Sequence, residues 1–529
     1  MYILYFTMEE IDRIEFTNSN LDTILENMGN ILSPYSELLD GEIKYNTIIH
    51  NNTSYKIAES FFGDKIVTPI TKNDITLFLD KIAILQDKLK QIEYDVIQEL
   101  QNKPLTLQLF QDSFFELENK IKLLKIAVYS EAVKGGYKLT AQELEIYNSS
   151  IKDSLTVFGN SVSENLDEVQ FILGKVFQDI DKEQRKNINN RNITDEELSI
   201  LKDSVNFIKY ETGYSLTQNK KITVGIKIDK NISSIEKKDQ IELYTSMMEN
   251  EFNDNNILSY NWKIITHNSG NSSVDQLKEE FKIPSEEKQS TINLANALGT
   301  YTHEFGKHVV SAYNTNKFLG KGFKGANYLE TEEGLASIFT GLASGKVSSL
   351  NDLSKLIEKP TIGDICILIS EHYNLKDTLK IINIYKKLIG SKLNIEDLVY
   401  RRKRFIHPDF KGASPKDMAY TRGKNKVIYY LQSFNSEEEI LNAVHDLNTF
   451  KLNIKDRDLL PGLKKELNIE EDCLMKSNFI GLLIAQQLGI GLQGLKENTL
   501  GFDILTKNIS DNTKKTALDI IQTFNLKKN

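Results

Sequence analysis

The sequence predicts an α+β fold that is predominantly α-helical, and three observations predict it. Apolar residues recur every three or four positions over most of the chain; period-two alternation is confined to a few short stretches between positions 221 and 284; and a strongly amphipathic segment carrying His303, Glu304 and His308 follows those strands. At 529 residues the chain is long enough for several domains and can bury substantial cores, so folding requires no disulfide or metal staple. The pattern divides it into a mixed N-terminal region (1–73), a helical region (74–215), a core containing the small sheet and the histidine helix (216–345), and a helical C-terminal region (346–529) that completes a cleft.

In the N-terminal region short apolar runs alternate with polar turns such as Asn51-Asn52-Thr53. From Asp74, a candidate N-cap, Ile75, Phe78, Leu79, Ile82, Leu85 and Leu89 mark one face of a helix. A second helix is expected over 105–133, closed by Gly135-Gly136. A third opens at Thr140, where Glu143 completes a capping-box pattern. Ile222, Val224, Ile226 and Ile228 alternate with polar residues as in a half-buried strand, as do Tyr260, Trp262 and Ile264. Phe281-Lys282-Ile283 is a third strand candidate, ended by Pro284, and Ser285 is the expected N-cap of the histidine helix. Beyond it, helical spacing recurs over 362–373, 375–388, 426–434, 437–447 and 478–492.

Composition excludes several classes of function. The 65 basic and 74 acidic side chains give a net charge of -9 without a basic block, which argues against a nucleic-acid binder. Two cysteines supply neither a disulfide framework nor a thiolate metal site, which fits a reducing cytoplasm. The opening MYILYFTMEE has no basic segment before its apolar run, so no signal peptide is read. No later stretch reaches the roughly 18 to 20 apolar residues a membrane span needs.

The readable chemistry lies in His303-Glu304-x-x-x-His308. It is one residue longer than the H-E-x-x-H pattern in which two histidines bind zinc and the glutamate acts as base. In a regular helix an i,i+5 pair is offset by about 140 degrees, so both imidazoles reach one ion only if the helix distorts, for example through a π-bulge near Gly306. Downstream, Glu332-Glu333-Gly334-Leu335-Ala336 opens another helix whose first turns can offer a carboxylate. Together His303, His308 and Glu333 form a His2Glu set with an open position, the composition expected of catalytic rather than structural zinc. The other five histidines of the seven lack ligand-like neighbours.

At this point the chain resembles a known family. His303-Glu304-x-x-x-His308, Tyr313-Asn314, the Gly320-Lys321-Gly322 loop and Glu333-Gly334-Leu335-Ala336 resemble the tyrosine carboxypeptidase family, which includes microtubule-associated tyrosine carboxypeptidases and bacterial QEGLA-motif proteins. Arg401-Arg402-Lys403-Arg404-Phe405 and Lys416-Asp417-Met418-Ala419-Tyr420-Thr421-Arg422-Gly423 look like that family's downstream elements, and the order agrees over about 216–463. The chain departs from the pattern at Glu332, where the family often carries Gln or Asn.

The resemblance implies a zincin-like core and a cytoplasmic zinc metallopeptidase that removes a C-terminal residue from a peptide or protein tail. His303, His308 and Glu333 would hold Zn2+ and Glu304 would act as base. Tyr420 would serve as a catalytic donor, and Arg404, Lys416 and Arg422 would bind substrate. Neither nucleic acid nor membrane is an expected partner. The alternative is a non-catalytic, metal-containing protein that recognises a polypeptide tail.

Overall fold

The computed structural model describes residues 45–50, 53–58, 69–155, 158–213, 234–268, 271–285, 291–346, 356–357, 360–490, 505–506 and 509–526. The alternating stretch at 222–228 lies outside them. The described residues are predominantly helical, with short strands. No described helix is long and apolar enough to cross a membrane.

A long hairpin of α1 (Lys72–Leu100) and α2 (Pro104–Lys134) begins the helical part. Thr71, rather than Asp74, caps α1. Asp74 lies three residues further on and completes a capping box, its carboxylate accepting from the Thr71 N–H at 2.8 Å. Pro104 starts α2, where its missing N–H costs no helical bond. Next come α3 (Ala141–Leu155), with the expected Thr140/Glu143 box, α4 (Leu166–Gln184) and α5 (Asp195–Thr212).

Strands enter next. Antiparallel β1 (Tyr45–His50) and β2 (Thr53–Ala58) form a separate ribbon. β3 (Ser234–Glu236) leads into α6 (Lys237–Asp254) and pairs antiparallel with β7 (Thr291–Asn293). The three-stranded sheet has the order β4-β6-β5, with β4 (Lys263–His267) parallel and β5 (Ser273–Asp275) antiparallel to β6 (Glu280–Pro284). Tyr260 and Trp262 precede β4 instead of belonging to it. Tyr260 stacks on Phe252 at 3.9 Å, so loop packing produces the alternation read as a strand. Ser285 does not start the histidine helix. That helix, α7 (Leu294–His303), is capped by Asn293, whose side chain accepts from Asn296 N.

After α7 come a π turn (Glu304–Val309), α8 (Val310–Phe318) and α9 (Tyr328–Ala343). The loop before α9 needs glycine at Gly320 and Gly322, whose φ angles are 104° and 83°. The chain then builds α10 (Ile362–His372), α11 (Leu375–Ile389), α12 (Ile395–Arg402) and α13 (Met418–Gln432). Helix α13 begins ahead of the apolar spacing that announced it, and so takes Tyr420 and Arg422 into its first turns. Helices α14 (Glu437–Thr449), α15 (Leu460–Glu466), α16 (Ile480–Gln487) and α17 (Asp511–Thr523) follow.

Three apolar cores hold these elements. The first surrounds α7, where Leu298, Tyr301, Phe305 and Val309 meet Met247, Phe252, Leu335, Phe339 and Ile480. The second joins the α1–α2 hairpin to Leu319, Phe323, Phe450 and Leu463. The third joins α4 and α5 to α10, α11 and Met418. Residues before position 215 therefore bury their apolar faces against residues well beyond position 318.

Helices α9 and α13 cross where neither carries a side chain. A Cβ on Gly423 would fall inside the Glu330 carbonyl, and one on Gly334 would run into the Gly423 carbonyl. Gly306 in the π turn is different, because a Cβ there would meet its nearest neighbour, Ser477 Oγ, at an ordinary 3.6 Å, and its φ is not positive. Glycine is thus required at the helix crossing and not at the turn. Gly423→Ala is expected to cost at least about 3 kcal/mol, since backbone must move to admit the methyl. Gly306→Ala is expected to leave the thermal midpoint unchanged or slightly raised. Thermal unfolding of the two variants beside the unaltered protein checks both.

Candidate functional site

The π turn brings the two histidines together. Val310 N–H reaches Phe305 O, an i→i−5 closure, and Lys307 O. With the turn widened in this way, the His303 and His308 rings stand 4.9 Å apart, edge to face. Helix α9 supplies the third group. Glu333 Oε2 lies 3.6 Å from His303 Nε2 and 3.9 Å from His308 Nε2. Bonds of 2.0–2.2 Å in a tetrahedral site place ligand atoms about 3.4 Å apart, and the two distances to Glu333 Oε2 are within about 0.5 Å of that. They also form one of two groups among the described residues that can hold a metal ion. The other, Glu470, Asp472 and Cys473, is an exposed surface cluster.

Partners on the far side of each ring aim it. His303 Nδ1 meets Thr340 Oγ1 at 3.1 Å, and that hydroxyl also reaches the carbonyls of Ala336 and Gly299. A hydroxyl donating to a carbonyl accepts at its oxygen, so Thr340 accepts a hydrogen bond from His303 Nδ1. Burial would lower the pKa of this imidazole, but the Glu333 and Glu304 carboxylates outweigh it and raise it, and a lone pair at Nε2 belongs to its neutral form. His308 Nδ1 meets Glu332 Oε1 at 2.9 Å. Glu332 therefore takes the outer nitrogen of His308 while Glu333 faces the inner nitrogens of both rings. Neighbouring positions on a helix point in different directions.

Glu332 is the most heavily engaged group of the site. It receives Lys451 Nζ at 2.6 Å, Lys307 Nζ at 2.7 Å and Ser311 Oγ at 3.0 Å, all of them buried. Burial alone would raise its carboxyl, but the ammonium groups of Lys307 and Lys451 outweigh it and hold Glu332 well below the usual carboxylate range. Glu333, raised by burial but lowered more by His303 and His308, also stays ionised. Its buried Oε2 has no hydrogen-bond partner among the described residues, as a ligand atom facing a cation position would. Burial pushes the Glu304 carboxyl up, against the opposing pull of His303 and His308, and no hydrogen bond among the described residues engages it.

The downstream block lies beside this centre. Tyr420 is 47% exposed on the first turn of α13, and Glu333 contributes most to raising its phenol above the ordinary value, so it stays protonated. Asp417 gathers three arginines. Arg401 approaches through Nε at 3.0 Å and Nη2 at 2.8 Å, Arg402 through Nη1 at 3.2 Å, and Arg404 through Nη2 at 3.8 Å. Arg404 and Lys416 are both buried. Arg422 is committed elsewhere: its Nε and Nη2 each donate to a Glu168 carboxylate oxygen at 2.7 Å, and Nη2 also reaches Asn160 O. It ties α13 to α4 and does not face an open position.

Sequence reasoning missed Thr340, Lys307, Lys451 and Arg401. Thr340 lies seven residues after Glu333, on the same face of its helix, a signal that was available. Lys307, on an otherwise apolar helix, signalled a buried counter-charge, but nothing in the sequence linked Lys451 to it. Asn314, from the Tyr313-Asn314 pair, serves structure by exchanging two hydrogen bonds with the Met475 backbone. His372 sits between Glu211 and Ser163, and His407 stacks on Phe410.

Replacing Glu332 with Gln leaves two buried lysines facing a neutral amide and is expected to cost about 3 kcal/mol in urea unfolding. Asp417 titrates far below its ordinary range because Arg402, Arg404 and Arg401 outweigh its burial. A carboxylate depressed in the folded state adds stability that is present above its unfolded pKa, about 3.9, and is lost as pH falls through the folded value. The stability difference between the unaltered protein and Asp417→Asn should therefore be constant from pH 7 to 5 and shrink below about pH 4, as read from urea midpoints across that range. Comparison with protein-family models, with curated proteins and with solved structures found no match for the chain.

Proposed function

We propose that the chain is a zinc metallopeptidase of the carboxypeptidase type, with a zincin-like core, acting on the C-terminal tail of a peptide or protein. One observation carries the reading: His303, His308 and Glu333 bring one candidate ligand atom each to within 4.8 Å of the others, with Glu304 buried next to them. Zinc bound by His303, His308 and Glu333 supplies a Lewis acid and lowers the pKa of water. Glu304, with its carboxyl raised by burial, accepts a proton from the attacking water and returns it to the departing amine. The Tyr420 phenol, kept protonated by the neighbouring carboxylates, donates to the oxyanion that develops on the scissile carbonyl.

An exopeptidase must also bind a free carboxylate. Arg401, Arg402 and Arg404 converge on Asp417 in the segment that also carries Lys416 and leads into Tyr420, and guanidinium and ammonium groups are the side chains that pair with a substrate carboxylate. Arg404 and Lys416 are the proposed substrate residues, joined by Arg401. Arg422, spent on Glu168, is a structural support. The likeness to tyrosine carboxypeptidases agrees with this arrangement in the order of its motifs.

The test combines metal content with peptide cleavage. The purified chain is expected to hold one zinc, and His303→Ala with His308→Ala to hold none; unaltered zinc in that double variant refutes the ligand set. Glu304→Gln should keep the zinc and lose at least about 100-fold in turnover. Incubation with a peptide library, read by mass spectrometry, should show loss of single C-terminal residues and no loss from C-terminally amidated peptides. Binding without cleavage would instead favour a tail-recognition protein.

A further inference from the structure

We infer that Asn448, on α14, is a positioning residue of the site: it selects the π register of the 304–309 turn and so brings His308 to face His303. In an α-helical register Val310 N–H would bond to Gly306 O, but here it goes to Phe305 O and Lys307 O. Asn448 Nδ2 supplies Gly306 O with a donor at 2.8 Å, across the core from a separate helix. A buried carbonyl deprived of its helical donor needs one such partner.

The rest of the Asn448 side chain shows that packing does not account for it. The residue is 2% exposed, and its Oδ1 is buried with no hydrogen-bond partner among the described residues. An unsatisfied buried amide oxygen is unfavourable, a penalty that an apolar side chain at this position would avoid. The same amide biases the turn through both of its states. In the π register it satisfies Gly306 O, which has lost Val310 as donor; in the α register Val310 would supply that carbonyl and the Asn448 bond would be redundant. The α register also sets His303 and His308 about 140 degrees apart around the helix, too far for one ion. Glycine does not perform this selection, since Gly306 has a φ that is not positive and room for a methyl.

Two variants of the full chain test the assignment. Asn448→Leu removes the donor while keeping the same number of branched heavy atoms, and Asn448→Asp replaces it with an acceptor at constant volume, so a folding failure of one leaves the other. Amide hydrogen exchange over residues 303–311 of zinc-free protein is expected to accelerate in each, with other core segments unchanged. Zinc affinity from chelator competition is expected to weaken about 10- to 100-fold. Exchange at 303–311 within twofold of the unaltered protein overturns the inference, and so does acceleration spread evenly over the core. The zinc readout rests on the proposed metal site and the exchange readout does not. If the unaltered protein binds no zinc, the metal reading falls while exchange still decides the role of Asn448.

Discussion

The crossing of α9 and α13 is a contact between backbones. Gly334 and Gly423 lie against each other's chains with no room for a methyl, so two helices separated in sequence approach more closely than side chains normally permit. Position 333 precedes one of these glycines and Tyr420 precedes the other by three residues. A close, side-chain-free crossing therefore places a ligand carboxylate beside a phenol and holds both against the histidine helix. Loosening the crossing moves Glu333 away from His303 and His308 together.

The site concentrates charge in a place that is otherwise core. Glu332, Lys307, Lys451 and His308 are all buried, and the arrangement holds because each charge has a partner at hydrogen-bond distance. At position 332 the chain carries a carboxylate with two ammonium groups. The pairing removes the penalty of the extra charge and leaves a strong acceptor for the outer nitrogen of His308. That acceptor fixes the imidazole's tautomer and direction, which a neutral amide, able to turn either way, specifies less firmly.

The helical region that had no function in the sequence supports the site indirectly. Glu168 on α4 fixes Arg422 on α13, and Tyr147 on α3 bonds through its hydroxyl to Phe405 O and His407 N. Phe405 has a φ of 67°, a conformation that costs energy for a non-glycine residue and persists where its surroundings impose it. The arginine-rich segment thus takes its shape from residues more than two hundred positions earlier.

The sequence by itself determined the helical character, several helix ends and the set of chemical groups. Apolar periodicity, capping boxes and proline or glycine at helix boundaries act within a few residues of the chain and can be read there, as at Thr140/Glu143 and Gly135. His303, Glu304, His308 and Glu333 were legible as a group because their spacing carries chemical meaning, and the extra residue between the histidines required a distortion that the π turn provides. Tertiary structure alone decided which carboxylate of the Glu332-Glu333 pair faces the inner nitrogens of the two histidines, that Arg422 is spent on Glu168, and that the turn is held from outside by Asn448 instead of by its own glycine. Each of these depends on a partner from a remote segment, and the burial that makes such a partner matter exists only once the helices have packed.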